Sequence, residues 1–153
     1  MDETMRLLVC SEARRWVGTP YHHMARVCGP RGGVDCATLL AEVYEAVGLA
    51  HIEISHYPQD WHMHRDAERY MSLVAEHSDE VPESDALPGD VVLFRIGRLF
   101  SHGAIVVDPG WPRIVHAHME SGEVREDCGD RGRLTGRPRR FFRPRVAAQR
   151  PVV

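Results

Sequence analysis

Cysteine and histidine residues that could carry out nucleophilic chemistry occur in the stretches VDCATLL and SHGAIVVDPGWPRIVHAH. Cys36 follows Asp35, a good helix N-cap, so the cysteine is predicted to lie in the first turn of a helix. The free N–H groups and the dipole at that end of a helix favour a thiolate, which is the nucleophilic form of cysteine. From this stretch alone, Cys36 could equally be a small buried residue of the core.

A nucleophilic thiolate needs a histidine that exchanges its proton and a third polar group that orients that histidine. His102 precedes the apolar run GAIVV, and His116 lies in RIVHAH, on the next predicted strand. Neighbouring strands can bring residues near their ends within side-chain reach. His118 shares a strand face with His116 because it is two residues further on. Spacing alone therefore leaves open which of the two orients His102.

The sequence contains ten histidines, several of them in clusters such as YHHM and DWHMH. Such clusters could supply metal ligands, but the zinc-binding patterns HExxH and paired CxxC are absent from the sequence. We therefore predict no metal and no other cofactor. The clustered residues are either a polar loop surface or part of a substrate groove. The groove candidates are His22, His23, Trp61, His62 and His118.

The first half of the chain is predicted to be helical. Apolar residues fall on one face of a helix over about residues 2–17, and the segment GTP ends it. After an irregular, glycine-rich loop, an apolar stripe predicts a helix that begins at Asp35 and ends at Gly48. A further helix is predicted from about Trp61 to His77, with Tyr70 among its inward residues.

The second half has the character of strands. The segments VVLFRI, GAIVV, RIVHAH and RRFFRPRV are short and rich in β-branched or aromatic residues, with turn residues between them. Phe141 and Phe142 are predicted to anchor a last edge strand whose arginines face solvent. Helices followed by antiparallel strands predict one α+β domain over residues 1–147, with a disordered tail at 148–153.

Composition argues against several classes of function. The 153-residue chain has 19 Lys and Arg against 22 Asp and Glu, a balance that gives no nucleic-acid or membrane-surface signature. No apolar run approaches the ~20 residues of a membrane span, and the charged beginning of the chain does not resemble a signal peptide. We therefore expect synthesis in the cytoplasm. The four cysteines include no CxxC pair and are expected to be reduced thiols.

Five motifs, in the same order, resemble those of the NlpC/P60 cysteine peptidases, the papain-like hydrolases of cell-wall peptides. They are VGTPY (17–21), VDC (34–36), ALPGDVVLF (86–94), SHGAIVV (101–107) and IVHAH (114–118). The resemblance covers about residues 16–118, most of the chain. It implies a papain-like α+β fold in which N-terminal helices pack on a central antiparallel β-sheet.

The resemblance also implies roles for particular residues. Cys36 would be the nucleophile, His102 the general base and acid, and His116 the residue that orients His102. Tyr21 and Asp35, with backbone amides at the helix start including that of Cys36, would bind the substrate or the oxyanion. The implied enzyme is a cysteine endopeptidase that hydrolyses an amide in the peptide stem of bacterial peptidoglycan through a thioester.

Departures from the family pattern occur on both sides of the cysteine. Ala37 and Thr38 stand where the family usually has serine and glycine, and HHMARVCGPRGG replaces an aromatic residue and two glycines after Tyr21. The forms GTPYHHMARV and YPQDWHMHR resemble the branch encoded in bacteriophage and prophage tail modules, which predicts a virion-associated protein with tail proteins as partners. The alternatives are a catalytically silent tail-assembly module that keeps the fold, and a thiol amidase or acyltransferase that acts on another small amide.

Overall fold

The computed structural model describes residues 1–54 and 68–146. Helices come first and most strands follow, which is the predicted α+β order. The helices are α1 (Glu3–Arg15), α2 (Cys36–Ala46) and α3 (Arg69–His77). The strands are β1 (Arg26–Val27), β2 (Gly33–Val34), β3 (Ser78–Val81), β4 (Val91–Ile96), β5 (Leu99–Val106), β6 (Arg113–His118), β7 (Glu123–Cys128) and β8 (Arg139–Pro144). Short 3₁₀ helices lie at Glu83–Asp85 and Gly132–Leu134.

Six strands form an antiparallel sheet in the order β3-β8-β4-β5-β6-β7, and β1 and β2 form a separate small hairpin. Strand β8 therefore lies inside the sheet, between β3 and β4. The prediction that Phe141 and Phe142 anchor an edge strand is wrong, because β3 pairs along the outer side of β8. The true edges, β3 and β7, have the polar sequences SDEV and EVREDC. Edge strands commonly carry such residues, which hide the alternation that reveals a strand.

The helices cover one face of the sheet. Eight of the eleven residues of α2 are buried, and the helix packs on β5 and β6. Leu39 is fully buried and Leu40 nearly so, and burial of such a side chain stabilises a fold by about 1.5–3 kcal/mol. The other face of the sheet carries a second apolar cluster that includes Phe94, Ile114 and Phe141. The sheet is thus buried on both sides, and α2 is fixed against it.

Asp90, the aspartate of the ALPGDVVLF motif, joins α1 to the sheet. It is fully buried, and its carboxylate receives hydrogen bonds from Arg6 of α1 at 3.1 Å and from Arg143 of β8 at 2.9 Å. The same carboxylate also accepts from the backbone N–H of Leu87 at 2.9 Å. A buried carboxylate with two guanidinium partners is a satisfied one, so this motif residue is structural.

Several predicted boundaries shift. Helix α2 ends at Ala46, and Gly48, with a φ of 76°, terminates the turn that follows. Strand β5 begins at Leu99, so His102 lies inside the strand and not at its edge. The helix predicted from Trp61 is observed as Arg69–His77, and its first part lies outside the described residues. None of the helices in the described ranges combines the length and hydropathy of a membrane-spanning helix.

Candidate active site

Cys36 is the first residue of α2, and a capping box sets its position. One carboxylate oxygen of Asp35 accepts hydrogen bonds from the amides of Ala37 at 3.0 Å and Thr38 at 2.9 Å. The Thr38 hydroxyl in turn accepts from the Asp35 amide at 2.9 Å. This reciprocal arrangement satisfies the otherwise unpaired donors of the first turn. The residue that replaces the family's glycine, Thr38, is therefore part of the cap.

The second carboxylate oxygen of Asp35 holds the loop that carries Tyr21. It accepts from the amide of Met24 at 2.7 Å, and Nδ1 of His23 lies 3.5 Å from it. Met24 has a φ of 60°, a conformation that non-glycine residues adopt only where their surroundings hold them. Asp35 is 1% exposed. Its carboxylate therefore holds the loop and the start of the helix, and the substrate contact that the resemblance implies for Asp35 stays a prediction.

The cleft opens where β5 and β6 part. Within the described residues these strands pair at two positions, Ile105 with Val115 and Val106 with Ile114. Beyond the pair of Ile105 and Val115, in the direction of His102 and His118, the strands enclose a cleft of about 210 Å³. Its lining residues are Tyr21, Cys36, Ile96, Ser101, His102, Ala117, His118, Met119, Glu120, Arg133, Leu134 and Arg137. The cleft thus brings Tyr21, Cys36 and His102 together.

The two predicted histidines form a direct pair. Nε2 of His102 lies 2.9 Å from Nδ1 of His116, and their ring centroids are 5.1 Å apart with the planes at 71°. His116 is fully buried, whereas His102 is partly exposed at the cleft. Because Nε2 of His102 is engaged by His116, the nitrogen left for chemistry is Nδ1.

The Cys36 thiol is protonated in this arrangement. Burial, and after it the Asp35 carboxylate, raise the pKa of the thiol to about 12. Hydrogen bonds from the Gly103 backbone, the Tyr70 hydroxyl and the cysteine's own amide act in the opposite direction but do not outweigh burial. The sulfur instead donates to the carbonyl of Ser101 at 3.7 Å. The position at the helix start, which favours a thiolate, is therefore overridden by the surroundings.

The histidine pair is neutral as well. Burial, followed by the charges of His116 and His118, holds the pKa of His102 well below its ordinary value. Burial and His118 also lower the pKa of His116 to about 4, against a smaller opposing effect of Asp127. The resting site therefore holds a neutral thiol and two neutral imidazoles.

Tyr70 and Gly103 are neighbours of Cys36 that the sequence does not reveal. The buried Tyr70 hydroxyl, on α3, donates to the Cys36 carbonyl at 2.9 Å. A Cβ on Gly103 would lie 2.1 Å from that hydroxyl oxygen, so only glycine fits beside it. Periodicity predicts that Tyr70 faces inward, but it does not say which helix lies opposite.

The cleft also carries charged residues that sequence reasoning passes over. Arg133 and Arg137 line it, and Arg133 pairs with Glu120 at 2.7 Å. Arg137 donates from Nε to the backbone carbonyl of Arg133 at 2.9 Å. These arginines belong to a basic run, RGRLTGRPRR, that looks like a solvated surface in the sequence.

Only one of the five predicted groove residues is found at the cleft among those described. His118 lines it, and its Nδ1 lies 2.9 Å from the Ser121 hydroxyl. His22 packs against Gly33, and His23 is next to the Asp35 carboxylate. Trp61 and His62 lie outside the described residues. In residues 1–54 and 68–146, no three His, Cys, Asp or Glu side chains are grouped so that they could hold a metal ion.

Solved structures share this fold at low sequence identity. NlpC1 from Trichomonas vaginalis superposes with a TM-score of 0.63 at 19% identity over 89% of this chain and 42% of that protein. The NlpC/p60 domain of the peptidoglycan hydrolase SagA gives a TM-score of 0.60 at 17% identity, over 88% of this chain and 96% of that domain. RipD from Mycobacterium tuberculosis, a non-catalytic NlpC/p60 domain protein adapted to peptidoglycan binding, gives 0.60 at 14% identity, over 93% and 98%.

These likenesses confirm the predicted α+β, papain-like fold. The chain spans less than half the length of the Trichomonas protein and almost all of the SagA domain. No curated protein sequence matches it. The sequence profile of the NlpC/P60 family matches residues 18–135, a range that includes the helix cap Asp35, Cys36, His102 and His116. With the profile spanning well over half of its residues, the chain belongs to the NlpC/P60 family.

Proposed function

We propose that the chain is a cysteine peptidase that hydrolyses an amide in the peptide stem of bacterial peptidoglycan. The observation that carries the proposal is the meeting of Cys36 and His102 in one cleft, with His102 bonded to the buried His116. A nucleophile, a base and a group that orients the base are the parts that covalent catalysis of acyl transfer needs. Peptidoglycan is the substrate named for SagA, which has the same fold.

In the proposed reaction, the sulfur of Cys36 attacks the carbonyl carbon of the amide while its proton passes to Nδ1 of His102. The C–N bond then breaks as that proton moves to the leaving amine, which leaves a thioester on Cys36. A water molecule gives a proton to His102 and its oxygen bonds to the thioester carbon. The proton returns to the sulfur as the carboxylic acid leaves.

The donors proposed for the oxyanion are the Cys36 amide and the Tyr21 hydroxyl. The amides of Ala37 and Thr38 already donate to Asp35, which narrows the larger set of backbone donors that the sequence predicts. Burial, then Cys36 and Asp35, raise the pKa of the Tyr21 hydroxyl, so it stays protonated and can donate. Loss of one donor of this kind lowers kcat by about 10²–10³-fold in peptidases.

The charges of the cleft favour an anionic peptide. Arg133 is paired with Glu120, whereas Arg137 forms no ion pair within the described part of the chain. A D-glutamyl residue joined through its side-chain carboxyl keeps its α-carboxylate free. A guanidinium binds such a carboxylate through two parallel hydrogen bonds. We assign Arg137 to this carboxylate of the stem peptide.

The test is incubation of the purified chain with muropeptides of defined stem sequence, followed by mass spectrometry of the products. We expect the wild type to split one stem amide and Cys36→Ala to split none, because the thioester cannot form. Cys128→Ala is the matched control, since Cys128 is partly buried on β7 and does not line the cleft. Equal cleavage by wild type and Cys36→Ala, or no cleavage by either, would contradict the proposal.

A non-catalytic binding module is the second candidate. The neutral thiol of Cys36, which donates to the Ser101 carbonyl, favours it, and the similar RipD fold is that of a non-catalytic protein. This candidate predicts that wild-type protein binds a muropeptide in calorimetry and returns it intact. An acyltransferase, by contrast, would transfer the acyl group to an added free amine in place of water.

The bacteriophage setting remains a prediction from the sequence forms around Tyr21 and Trp61. It places the protein in a virion, with tail proteins as partners. Mass spectrometry of purified particles checks it, because a tail component copurifies with virions through a density gradient and a free lysis enzyme does not.

A further inference from the structure

Asp127, on β7, stands next to the histidine pair on the side away from Cys36. Strands β6 and β7 pair His116 with Arg125 and Ile114 with Asp127, so Asp127 is the diagonal neighbour of His116. Diagonal neighbours on one face lie within reach of long side chains. Oδ2 of Asp127 lies 3.4 Å from Nε2 of His116. The row from His102 through His116 to Asp127 thus crosses three adjacent strands.

Nε2 of His116 needs a partner. His116 is fully buried, and within the described residues its Nε2 is a buried polar atom without a hydrogen bond of standard geometry. A buried polar group without a partner is costly, and catalytic hydrogen bonds are often long before the substrate binds. The Asp127 carboxylate faces this nitrogen, His118 lies on the other side with its ring centroid 5.0 Å from that of His116, and Arg125 is its cross-strand neighbour.

We infer that Asp127 is a positioning residue that fixes the tautomers of both histidines, an inference that rests on the proposed peptidase function. A carboxylate can only accept, so it selects the His116 tautomer that carries its proton on Nε2. Nδ1 of His116 must then accept from His102, which places the His102 proton on Nε2. Nδ1 of His102 is left bare, which is the state of a base that can take the Cys36 proton.

The opposite tautomer would disable the base. If His116 carried its proton on Nδ1, it would donate to Nε2 of His102, and the His102 proton would have to lie on Nδ1. That nitrogen could then take no proton from Cys36. In a pair of neutral imidazoles, only one ring can donate the hydrogen bond that joins them. The partner of Nε2 of His116 determines which ring donates.

The hydrogen bond from the Cys128 amide fixes the orientation that an asparagine would take in place of Asp127. Oδ1 of Asp127 accepts from the amide of Cys128 at 2.8 Å. In Asp127→Asn the amide oxygen keeps that bond, because the Cys128 N–H can only donate. The NH₂ group then takes the place of Oδ2 and donates toward His116, which selects the wrong tautomer. Burial acts to raise the pKa of Asp127, but the Cys128 amide and then His116 outweigh it, so the native carboxylate is charged.

The test compares full-length wild type, Asp127→Asn and Asp127→Ala by ¹⁵N-detected histidine NMR at neutral pH, with signals assigned through single histidine variants. We expect the Nε2–H form of His116 in wild type, the Nδ1–H form in Asp127→Asn, and both forms in Asp127→Ala, which cannot donate. Asp108→Asn is the matched control, since the half-exposed Asp108 is bound to Arg14 and does not contact the histidines.

Muropeptide cleavage is the second readout. The equivalent aspartate-to-asparagine change in serine peptidases lowers kcat by about 10⁴-fold through the wrong tautomer, and for this longer contact we expect a loss of at least about 100-fold. Asp127→Ala should keep more activity than Asp127→Asn, the reverse of what a purely structural role predicts. Unchanged His116 tautomers in Asp127→Asn would overturn the inference. Switched tautomers in a protein that cleaves nothing would support the positioning role and contradict the peptidase proposal instead.

Discussion

At the scale of single residues, the candidate site is defined by proton positions more than by charges. Cys36 and His102 are neutral because both are withdrawn from water, and the thiol points at the Ser101 carbonyl. In the proposed reaction, proton transfer from sulfur to imidazole then accompanies substrate binding and attack on the substrate. This differs from the preformed thiolate that the helix start predicts from sequence.

The neutral thiol has a measurable consequence in alkylation with iodoacetamide between pH 6 and pH 10. With the pKa of Cys36 raised to about 12, its thiolate fraction grows with pH over this whole range, so the labelling rate should rise roughly tenfold per pH unit. Peptide mass spectrometry reports the rate for each cysteine, and Cys28 serves as the partly exposed reference. A plateau for Cys36 between pH 6 and pH 8 would instead indicate a stable thiolate–imidazolium pair.

Arg137→Ala tests the assignment of the cleft charge. We expect KM for an acidic stem peptide to rise about tenfold or more while kcat changes little, because a charge-assisted hydrogen bond to the substrate contributes about 1.5–3 kcal/mol. The matched control is Arg69→Ala, since Arg69 is exposed and is not among the described residues that line the cleft. Equal effects on acidic stems and on stems whose carboxylate is amidated would contradict the assignment.

At the scale of elements, the start of α2 and the strand β5 hold Cys36 between them. Asp35 ties the helix start to the Tyr21 loop, and Gly103 lets β5 approach α3. Both residues act on the site without lining the cleft. A substitution at either residue should therefore lower activity by more than the loss of stability alone explains.

Asp35→Ala removes the cap of α2 and its bond to Met24. We expect the free energy of unfolding in urea to fall by about 1–2 kcal/mol, with loss of cleavage well beyond that cost because Tyr21 is no longer held beside Cys36. Asp2→Ala is the matched control, because Asp2 caps α1 through a single bond to the Met5 amide. It should lower stability and leave activity unchanged. Comparable losses of activity in both variants would refute a specific role for the α2 cap.

Gly103→Ala places a methyl group against Tyr70. Such overpacking costs about 1–3 kcal/mol, and it should push α3 away from Cys36. Tyr70→Phe removes the hydroxyl that makes the closest contact, so the double variant should be more stable than the sum of the single effects predicts. Urea unfolding of the four proteins of this cycle measures the coupling. Additive changes in the free energy of unfolding would show that the methyl group at position 103 does not clash with the Tyr70 hydroxyl.

Element order and type could be predicted where apolar periodicity is strong, and not where strands form an edge. Strand β4 coincides with VVLFRI, and α2 begins one residue after Asp35, as predicted. Strands β3 and β7 are missed by the periodicity because strands at the edge of a sheet can be largely polar. Missing β7 also hides Asp127, although EVREDC follows RIVHAH after the Gly122 turn and the hairpin could have been deduced.

At the scale of the whole molecule, the lowered pKa values of His102 and His116 link stability to pH. The ordinary pKa of histidine is about 6.5, and that of His116 is lowered to about 4 in the folded chain. Between these values the unfolded chain binds a proton that the folded chain does not, so stability is fully present above pH 6.5 and falls on acidification toward pH 4. Each such histidine contributes up to about 1.4 kcal/mol per pH unit to that slope.

The linkage can be measured by urea unfolding at pH 7, 6 and 5. We expect His116→Gln to show a shallower fall in the free energy of unfolding than wild type, since the variant cannot take up that proton. His51→Gln is the control, because the His51 side chain is largely exposed. If wild type and His116→Gln lose stability in parallel, the pKa of His116 is not lowered by folding.

The candidate site as a whole could be predicted only in part. Cys36, His102 and His116 come from motifs that keep local sequence forms, and the chain indeed brings them to one place. The identity of their surroundings could not be predicted, because Tyr70 and Arg137 arrive from elements distant in sequence. Their positions depend on how helices and loops pack, which local patterns do not encode.

Because β5 and β6 pair over a short stretch, the hydrogen-bonded pair of His102 and His116 also has a structural role. Where these strands part, main-chain hydrogen bonds no longer join them, and the bond between His102 and His116 is a cross-strand link of side chains beyond the last ladder pair. The two imidazole rings connect β5 and β6 where the strands have separated. The hydrogen bond that would set the tautomer of His102 in the proposed reaction is thus also the side-chain connection between β5 and β6 at this position.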